Sequence, residues 1–212
     1  MVFQLTDELV FPDPALAEPD GWLAVGGDLS INRLLLAYQN GIFPWYADDE
    51  PIYWYSPHER CVIFPQDVFV SKSMQHIFDK NVFEIKMNTN FESVIENCKS
   101  VFRKGQDGTW ITPEMKAAYI QLHNNGFANS VEVYQKDKLV GGLYGVVINK
   151  VFCGESMFST VSNASKAALI WLCRQPQFQL IDCQLPNKHL HSMGAVIIGR
   201  EEYMRILNRQ TL

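Results

Sequence analysis

Residues 129–159, NSVEVYQKDKLVGGLYGVVINKVFCGESMFS, decide the fold because they read as three β-strands in succession. The first strand alternates apolar and polar residues and ends at the polar triplet 136–138. A ten-residue uncharged run follows over 139–148; it is too short to cross a membrane and is bounded by turns, which predicts a buried central strand. A second turn at 149–150 leads into the third strand.

Glycines interrupt this segment at positions where a strand normally packs side chains. Gly141 and Gly142 lie in the middle strand, and Gly154 lies in the third. Such glycines mark a bulge or a place where a ligand approaches the backbone. Glu155 follows among apolar residues, so its carboxylate lies either on a solvated face or in a functional site.

The composition describes an ordinary globular protein. The chain has 212 residues, 47% of them hydrophobic and 19% charged, which fits one large domain or a domain with a smaller partner. A net charge of −5 argues against broad nucleic-acid binding but allows a local basic patch. The five cysteines form no C-x-x-C pair, which predicts a reducing, cytoplasmic location. No signal peptide and no apolar run of membrane-spanning length are found, so no membrane association is expected.

Residues 1–60 differ from the rest of the chain and predict a small, loop-rich N-terminal domain. They carry several prolines, and six aromatic residues lie between Phe43 and Tyr55. The aromatic cluster has two interpretations. It covers a small core, or it forms a platform on which nucleic-acid bases stack. Residues 61–212 form the predicted second domain.

The second domain has regular helix and strand patterns. Ser71 and Thr112 are predicted N-caps, and Thr89 with Glu92 reads as a capping box. From Val82 the predicted element order is β-α-α-β-β-β-α-β-α-β. This is the order of the GNAT-type acyltransferase fold, so the predicted class is α+β, with a mixed sheet covered by helices.

Two polar residues stand out in the strand LIDCQ at 180–184. Alternation places Asp182 and Gln184 on one face of a strand whose both faces are expected to be covered. A buried carboxylate needs donors, so Asp182 belongs either to a core network, with Arg174 or a backbone amide, or to a cleft. In the second case Glu155 on the neighbouring strand joins it, as in a ligand pocket.

Other chemistry-bearing motifs are incomplete. His189 and His191 lack a further ligand at useful spacing, so no metal site is predicted. Cys183 in a strand is more typical of a small buried hydrophobe than of a nucleophile. There is no Walker loop, and no cofactor is expected.

Eight short blocks appear in an order that is specific to one family. They are GIFPW (41–45), WYSP (54–57), TWI (109–111), LVGG (139–142), GESMFS (154–159), ASK (164–166), LIDCQ (180–184) and SMGA (192–195). The chain resembles the leucyl/phenylalanyl-tRNA–protein transferase family over about residues 20–205. The resemblance implies a bacterial cytoplasmic enzyme that moves Leu, Phe or, less efficiently, Met from aminoacyl-tRNA to the N-terminal Arg or Lys of a protein. This transfer marks the protein for degradation in the N-end rule pathway.

The resemblance also assigns roles to individual residues. The catalytic pair falls on Asp182 and Gln184, and the glutamate expected to bind the acceptor falls on Glu155. The aminoacyl pocket falls on Leu143, Phe152, Met157, Leu169 and Ile181. Trp45 and Trp110 fall near the terminal adenosine.

Several basic residues are candidates for contacts with tRNA phosphates: Arg60, Lys72, Lys80, Lys86, Arg103 and Lys104. Lys72 and Lys80 lie on one predicted helix and are the preferred pair. For each of the six, a solvated surface charge is the alternative. A monomer is expected.

Two other functions compete with this interpretation. One is an N-acyltransferase that uses acyl-CoA, but the turn STVSNAS (159–165) lacks the glycines that expose backbone amides to a pyrophosphate. The other is a non-catalytic RNA- or peptide-binding module. The presence of both Asp182 and Gln184 speaks against it.

Overall fold

The computed structural model describes residues 2–100 and 111–209. The strands are β1 (Phe3–Leu5), β2 (Trp22–Gly26), β3 (Phe43–Pro44), β4 (Tyr53–Tyr55), β5 (Glu59–Ile63), β6 (Glu84–Met87), β7 (Ala128–Gln135), β8 (Lys138–Ile148), β9 (Val151–Ser159), β10 (Leu180–Gln184) and β11 (Val196–Gly199). The α-helices are α1 (Ile31–Gln39), α2 (Lys72–Asp79), α3 (Phe91–Ser100), α4 (Pro113–Asn124), α5 (Ala164–Cys173), α6 (Lys188–Ser192) and α7 (Arg200–Leu207). Short 3₁₀ turns cover Pro14–Leu16 and Pro65–Asp67.

The first four strands form a small sheet in the order β1-β2-β4-β3. Strands this short, separated by proline-containing segments, leave no periodic pattern, and the sequence predicted loops here. Trp54 is fully buried and donates its indole N–H to the carbonyl of Gly26 at 2.8 Å. Phe43 and Tyr46 are also buried, whereas Trp45 is exposed. Most of the aromatic cluster therefore covers the core, and Trp45 is turned outward.

The remaining strands form a mixed seven-stranded sheet in the order β11-β5-β10-β9-β8-β7-β6. Strands β9 and β10 pair in parallel, and every other neighbouring pair in this sheet is antiparallel. Strand β8 is almost entirely buried, as predicted for the central strand. The element order from β6 onward matches the prediction, and the α+β class with a GNAT-like mixed sheet is confirmed.

Helices cover both faces of the large sheet. The apolar faces of α1, α3, α4 and α7 pack into one core cluster, and those of α2, α5 and α6 pack into the other. Helix α5 lies close to β8, because a Cβ atom at Gly141 would stand only 2.6 Å from the Ala164 methyl group. Gly141 is thus a packing glycine and not a ligand contact. No helix in the described ranges is both long and apolar enough to span a membrane.

The start of α3 and the domain boundary were both predicted from the sequence. The predicted capping box is wrong: α3 begins at Phe91, Asn90 accepts the N–H of Ser93 at 3.3 Å, and Thr89 instead donates to the buried carboxylate of Glu132 at 3.0 Å. The domain boundary at residue 60 stays a prediction. The first core cluster contains residues from both predicted domains.

Candidate active site

The site forms where the two parallel strands separate. Pairing between β9 and β10 ends at Cys153 and Asp182. Beyond that point each strand has an irregularity: Glu155 is an extra residue in β9 opposite β8, and Cys183 is an extra residue in β10 opposite β5. Bulges bend a strand and redirect its side chains. The two strands therefore diverge and open a cleft beside Gly154, where the backbone lacks a side chain.

A cavity of about 410 Å³ occupies this cleft. Its wall contains every residue predicted for the aminoacyl pocket: Leu143, Phe152, Met157, Leu169 and Ile181. Four of the five are buried members of the second core cluster, and Met157 packs against that cluster while remaining partly exposed. The same cavity is lined by Glu155, Asp182 and Gln184. It is also lined by Trp45, which directly follows β3 of the small sheet. Trp110 lies outside the described residues.

Glu155 is held by three donors from three different elements. Tyr38 of α1 donates to Oε1 at 2.7 Å, Tyr119 of α4 donates to Oε2 at 3.0 Å, and the Gln184 side-chain amide donates to Oε1 at 2.9 Å. The hydroxyls of Tyr38 and Tyr119 are also hydrogen-bonded to each other. Both tyrosines are buried.

The number of available protons shows which protonation state of Glu155 these three contacts favour. Two hydroxyl protons cannot serve both the Tyr38–Tyr119 contact and two bonds to an ionised carboxylate. A protonated Glu155 supplies the third proton and closes a ring of three hydrogen bonds. Burial raises the pKa of Glu155 to about 7, with Asp182 adding to the rise and the donors from Tyr38, Tyr119 and Gln184 opposing it. Glu155 therefore changes charge near neutral pH.

Asp182 is buried and has a complete set of partners. Its Oδ2 accepts the hydroxyl of Tyr203 at 2.8 Å and lies 3.2 Å from Nε of Arg60. Its Oδ1 accepts the main-chain N–H of Gln184 at 2.8 Å. The expectation of donors around Asp182 is confirmed for the backbone amide, while Arg174 bonds Gln75 on α2 instead.

The prediction that Arg60 contacts a tRNA phosphate is wrong. The side chain is only 3% exposed and is paired with Asp182, so it cannot reach a nucleic-acid phosphate. Burial lowers the pKa of the Arg60 guanidinium, but Asp182 together with Tyr203 and Cys153 outweighs that effect, and the net pKa is raised. Lys86 is exposed and lies 3.0 Å from Glu84 on the edge strand β6. Arg103 and Lys104 fall outside the described ranges.

Lys72 is the first residue of α2 and Lys80 is the C-cap that follows its last residue, and both are exposed. Neither forms an ion pair with any residue that the structure describes. Helix α2 packs against α5, whose Leu169 lines the cavity. The two lysines are thus separated from the cavity by one helix and do not line it.

Sequence patterns gave no signal for four polar residues of the site. Tyr38 and Tyr119 are among the buried residues of α1 and α4, where an aromatic ring is expected whether or not its hydroxyl has a role. Tyr203 and the pairing role of Arg60 depend on contacts between distant parts of the chain. In the described part of the chain, no group of three or more His, Cys, Asp or Glu side chains is arranged to hold a metal ion.

The fold and the site together define an α+β protein with a mixed sheet and an apolar pocket that ends in a polar cluster. Sequence profiles described as leucyl/phenylalanyl-tRNA protein transferase and its N-terminal domain match residues 62–208 and 27–58. The chain belongs to this family of aminoacyltransferases.

Individual relatives agree with the profiles over nearly the whole chain. The leucyl/phenylalanyl-tRNA–protein transferase of Flavobacterium psychrophilum is 53% identical over 208 residues, covering 97% of this chain and 99% of the relative. That of Flavobacterium johnsoniae is 50% identical over 209 residues with the same two coverages. That of Syntrophobacter fumaroxidans is 51% identical over 209 residues, covering 97% of this chain and 89% of the relative.

Solved structures show only a distant likeness. A functionally unknown conserved protein from Staphylococcus epidermidis has a TM-score of 0.45 at 11% identity, covering 84% of this chain and 68% of that protein. A GCN5-related N-acetyltransferase from Kribbella flavida has a TM-score of 0.40 at 11% identity, with the same coverages. Neither bears on function.

Proposed function

We propose that this enzyme transfers leucine, phenylalanine and, less efficiently, methionine from aminoacyl-tRNA to the N-terminal Arg or Lys of acceptor proteins. The observation that carries the proposal is the cavity itself. An apolar pocket opens onto Glu155 and Gln184, so an apolar aminoacyl group and a cationic acceptor can meet at one point.

The donor side of the cavity suits an apolar amino acid. Its wall consists of buried aliphatic and aromatic side chains, with the partly exposed Met157 among them. A methionine side chain is flexible and polarisable, which suits a pocket that accepts Leu, Phe and Met. Trp45 is 42% exposed where it lines the cavity and offers a surface for stacking the terminal adenosine.

The acceptor side is formed by Glu155. An ionised Glu155 places a negative charge, held by two tyrosine hydroxyls, where the guanidinium or ammonium group of an N-terminal Arg or Lys would lie. Binding of that cation favours the ionised carboxylate and therefore opposes the ring of hydrogen bonds that Tyr38 and Tyr119 form with protonated Glu155.

Gln184 is assigned to the attacking amine. An ionised Glu155 only accepts hydrogen bonds, and a protonated Glu155 donates its proton within the ring to a tyrosine. In both states the Gln184 amide turns Nε2 toward Glu155 and its own Oε1 away from it. The Oε1 atom then accepts an N–H of the acceptor's α-amine and orients its lone pair toward the ester carbonyl. A C–N bond forms, the bond from the carbonyl carbon to the tRNA 3′-oxygen breaks, and the amine proton passes to that oxygen, directly or through the ribose 2′-OH.

The wider context follows from the family resemblance. We expect the modified protein to be marked for degradation by its new N-terminal residue. All five cysteines are free and four are buried, which fits a cytoplasmic enzyme. The monomeric state remains part of the proposal.

The acceptor half of the proposal is tested with a panel of peptides that differ only in their first residue. With phenylalanyl-tRNA as donor, we expect transfer to peptides that begin with Arg or Lys and none to peptides that begin with Asp or Ala. Leucyl-tRNA and methionyl-tRNA are compared as donors on the Arg peptide. Equal transfer to all four peptides, or transfer to none, would reject the assignment.

A further inference from the structure

We propose that Arg60 and Tyr203 are positioning residues for the transfer reaction, because they orient Asp182 so that it fixes the backbone of Gln184. The expected effects on kcat rest on the function proposed above, whereas the positioning of Gln184 does not.

Asp182 acts on Gln184 through the main chain. No hydrogen bond joins the Asp182 carboxylate to the Gln184 side chain in the described residues; Oδ1 accepts the Gln184 main-chain N–H at 2.8 Å. Gln184 has a φ of +60°, the left-handed conformation that a residue with a side chain rarely adopts. A carboxylate that accepts an N–H two residues ahead is a local bond that supports such a turn. The direction of the Gln184 side chain thus depends on where Oδ1 lies.

The second carboxylate oxygen is fixed by Arg60 and Tyr203. Oδ2 accepts the Tyr203 hydroxyl at 2.8 Å and faces Nε of Arg60 at 3.2 Å. Arg60 lies between two rings, with its guanidinium carbon 4.5 Å from the Tyr203 ring centre and 5.0 Å from that of Phe43. Its Nη2 also donates to the Gly41 carbonyl at 3.0 Å. The Arg60 Nε forms no hydrogen bond with the described residues, so its contact with Oδ2 is an ion pair. The guanidinium is held in place by the two rings and by Gly41, and an ammonium group cannot stack in this way to keep the positive charge in the same position.

This network joins three parts of the chain behind the reaction centre. Arg60 is on β5, which pairs with β10, and Tyr203 is on α7. Gly41 and Phe43 precede Trp45, which lines the cavity. One buried cation therefore links the segment beside the donor's predicted adenosine site to the strand that carries Gln184.

Two conservative substitutions test the proposal against matched controls. Tyr203→Phe removes one hydroxyl and keeps the ring. Tyr46→Phe is its control, because Thr112, at 3.3 Å, is the one hydrogen-bond partner of the Tyr46 hydroxyl among the residues that the structure describes. Arg60→Lys keeps the charge and loses the planar fork. Arg33→Lys is its control, because Arg33 is also fully buried and paired with Asp28 at 3.1 Å.

We expect Tyr203→Phe and Arg60→Lys to lower kcat by about 10- to 100-fold with little change in either KM, the scale on which small misplacements act. The controls should lose stability without that loss of kcat. In a Gln184→Ala background the effect of Tyr203→Phe should vanish, because a positioning residue has nothing left to position.

A second measurement is independent of catalysis. Hydrogen exchange of the Gln184 main-chain N–H should be faster in Tyr203→Phe and Arg60→Lys than in either control. Exchange and kcat within the range of the controls, or an undiminished kcat effect in the Gln184→Ala background, would overturn the proposal. If Arg60→Lys does not fold, Tyr203→Phe decides alone. A wild-type protein without transfer activity would reject the proposed function, whereas the exchange data would still decide the positioning role.

Discussion

At the scale of single residues, the role proposed for Gln184 is to present Oε1 to the attacking amine, so its removal should affect the chemical step. We expect Gln184→Ala to lower kcat by about 100- to 1000-fold, the loss typical of one well-placed polar group at a reaction centre. Single-turnover rates with saturating donor and acceptor measure this step. Gln121→Ala, on the exposed face of α4, is the control. Near-normal kcat in a folded Gln184→Ala protein would remove Gln184 from the mechanism.

The raised pKa of Glu155 predicts that binding of the acceptor peptide depends on pH. Because its pKa is raised to about 7, the carboxylate becomes charged as pH rises through that value. The KM for a peptide beginning with Arg should therefore fall between about pH 6 and pH 8. A Glu155→Gln variant should keep only the pH dependence that comes from the peptide's α-amine, whose reference pKa is about 8. An identical pH profile in both proteins would exclude Glu155 as the acceptor's partner.

The same shift has a consequence for stability. A carboxyl group with a raised pKa in the folded state stabilises the fold below its unfolded pKa and loses that contribution as pH rises through the folded pKa. Wild-type protein should thus lose stability relative to Glu155→Gln between about pH 4.5 and pH 7. Thermal melts across this range measure the difference. A difference in melting temperature that does not change with pH would contradict the prediction.

Met157 is the best position for testing donor selectivity. Phe152 is fully buried and packs against Phe178 with ring centres 5.5 Å apart, so truncation there would cost about 3–5 kcal/mol of stability. Met157 is partly exposed, and Met157→Ala should change the discrimination among Leu, Phe and Met by about 1–3 kcal/mol. Competition between the three charged tRNAs measures it. An unchanged order of preference would make Met157 a core residue only.

At the scale of elements, helix α2 offers the clearest test of tRNA binding. Each phosphate contact contributes about 0.7–0.9 to the slope of log affinity against log salt concentration. Reversing the charge of Lys72 and Lys80 should flatten this slope by the equivalent of up to two contacts, while the same change at Lys136 and Lys138 in the β7–β8 turn should not. An unchanged slope in the α2 variant would place the tRNA contacts elsewhere.

The turns and helix starts that were predicted correctly from the sequence are those that depend on neighbouring residues. The β7–β8 and β8–β9 turns contain Lys136, Asp137 and Asn149 with positive φ, and Ser71 and Thr112 cap the helices predicted for them. These features depend on a few neighbouring residues, so the sequence carries them directly.

The polar residues of the site, in contrast, depend on strand bulges and on contacts between distant parts of the chain. The predicted pocket residues line one cavity because β8, β9, β10 and α5 follow the predicted pattern. The extra residues Glu155 and Cys183 interrupt their strands. Gly154 in the sequence indicated a bulge or a ligand approach beside Glu155, whereas strand alternation gave no sign of the bulge at Cys183. Tyr38 and Arg60 reach the cluster from distant positions in the chain. Their hydroxyl and guanidinium groups could not be told from ordinary core and surface groups by pattern.

At the scale of the whole molecule, the polar cluster is completed by residues from both ends of the chain. Tyr38 from α1 and Tyr203 from α7 belong to the same core cluster, and their hydroxyls are hydrogen-bonded to Glu155 on β9 and to Asp182 on β10. The predicted N-terminal domain is therefore part of the site and does more than cover the sheet. We propose that this joint site transfers an aminoacyl group.

The most direct test of that claim is a single reaction with competing donors. Phenylalanyl-tRNA and acetyl-CoA are supplied together with one peptide that begins with Arg, and mass spectrometry identifies the group added to its N-terminus. We predict addition of phenylalanine, no reaction when the peptide's α-amine is blocked, and a strongly reduced rate with Gln184→Ala. Addition of an acetyl group without phenylalanine would contradict the account.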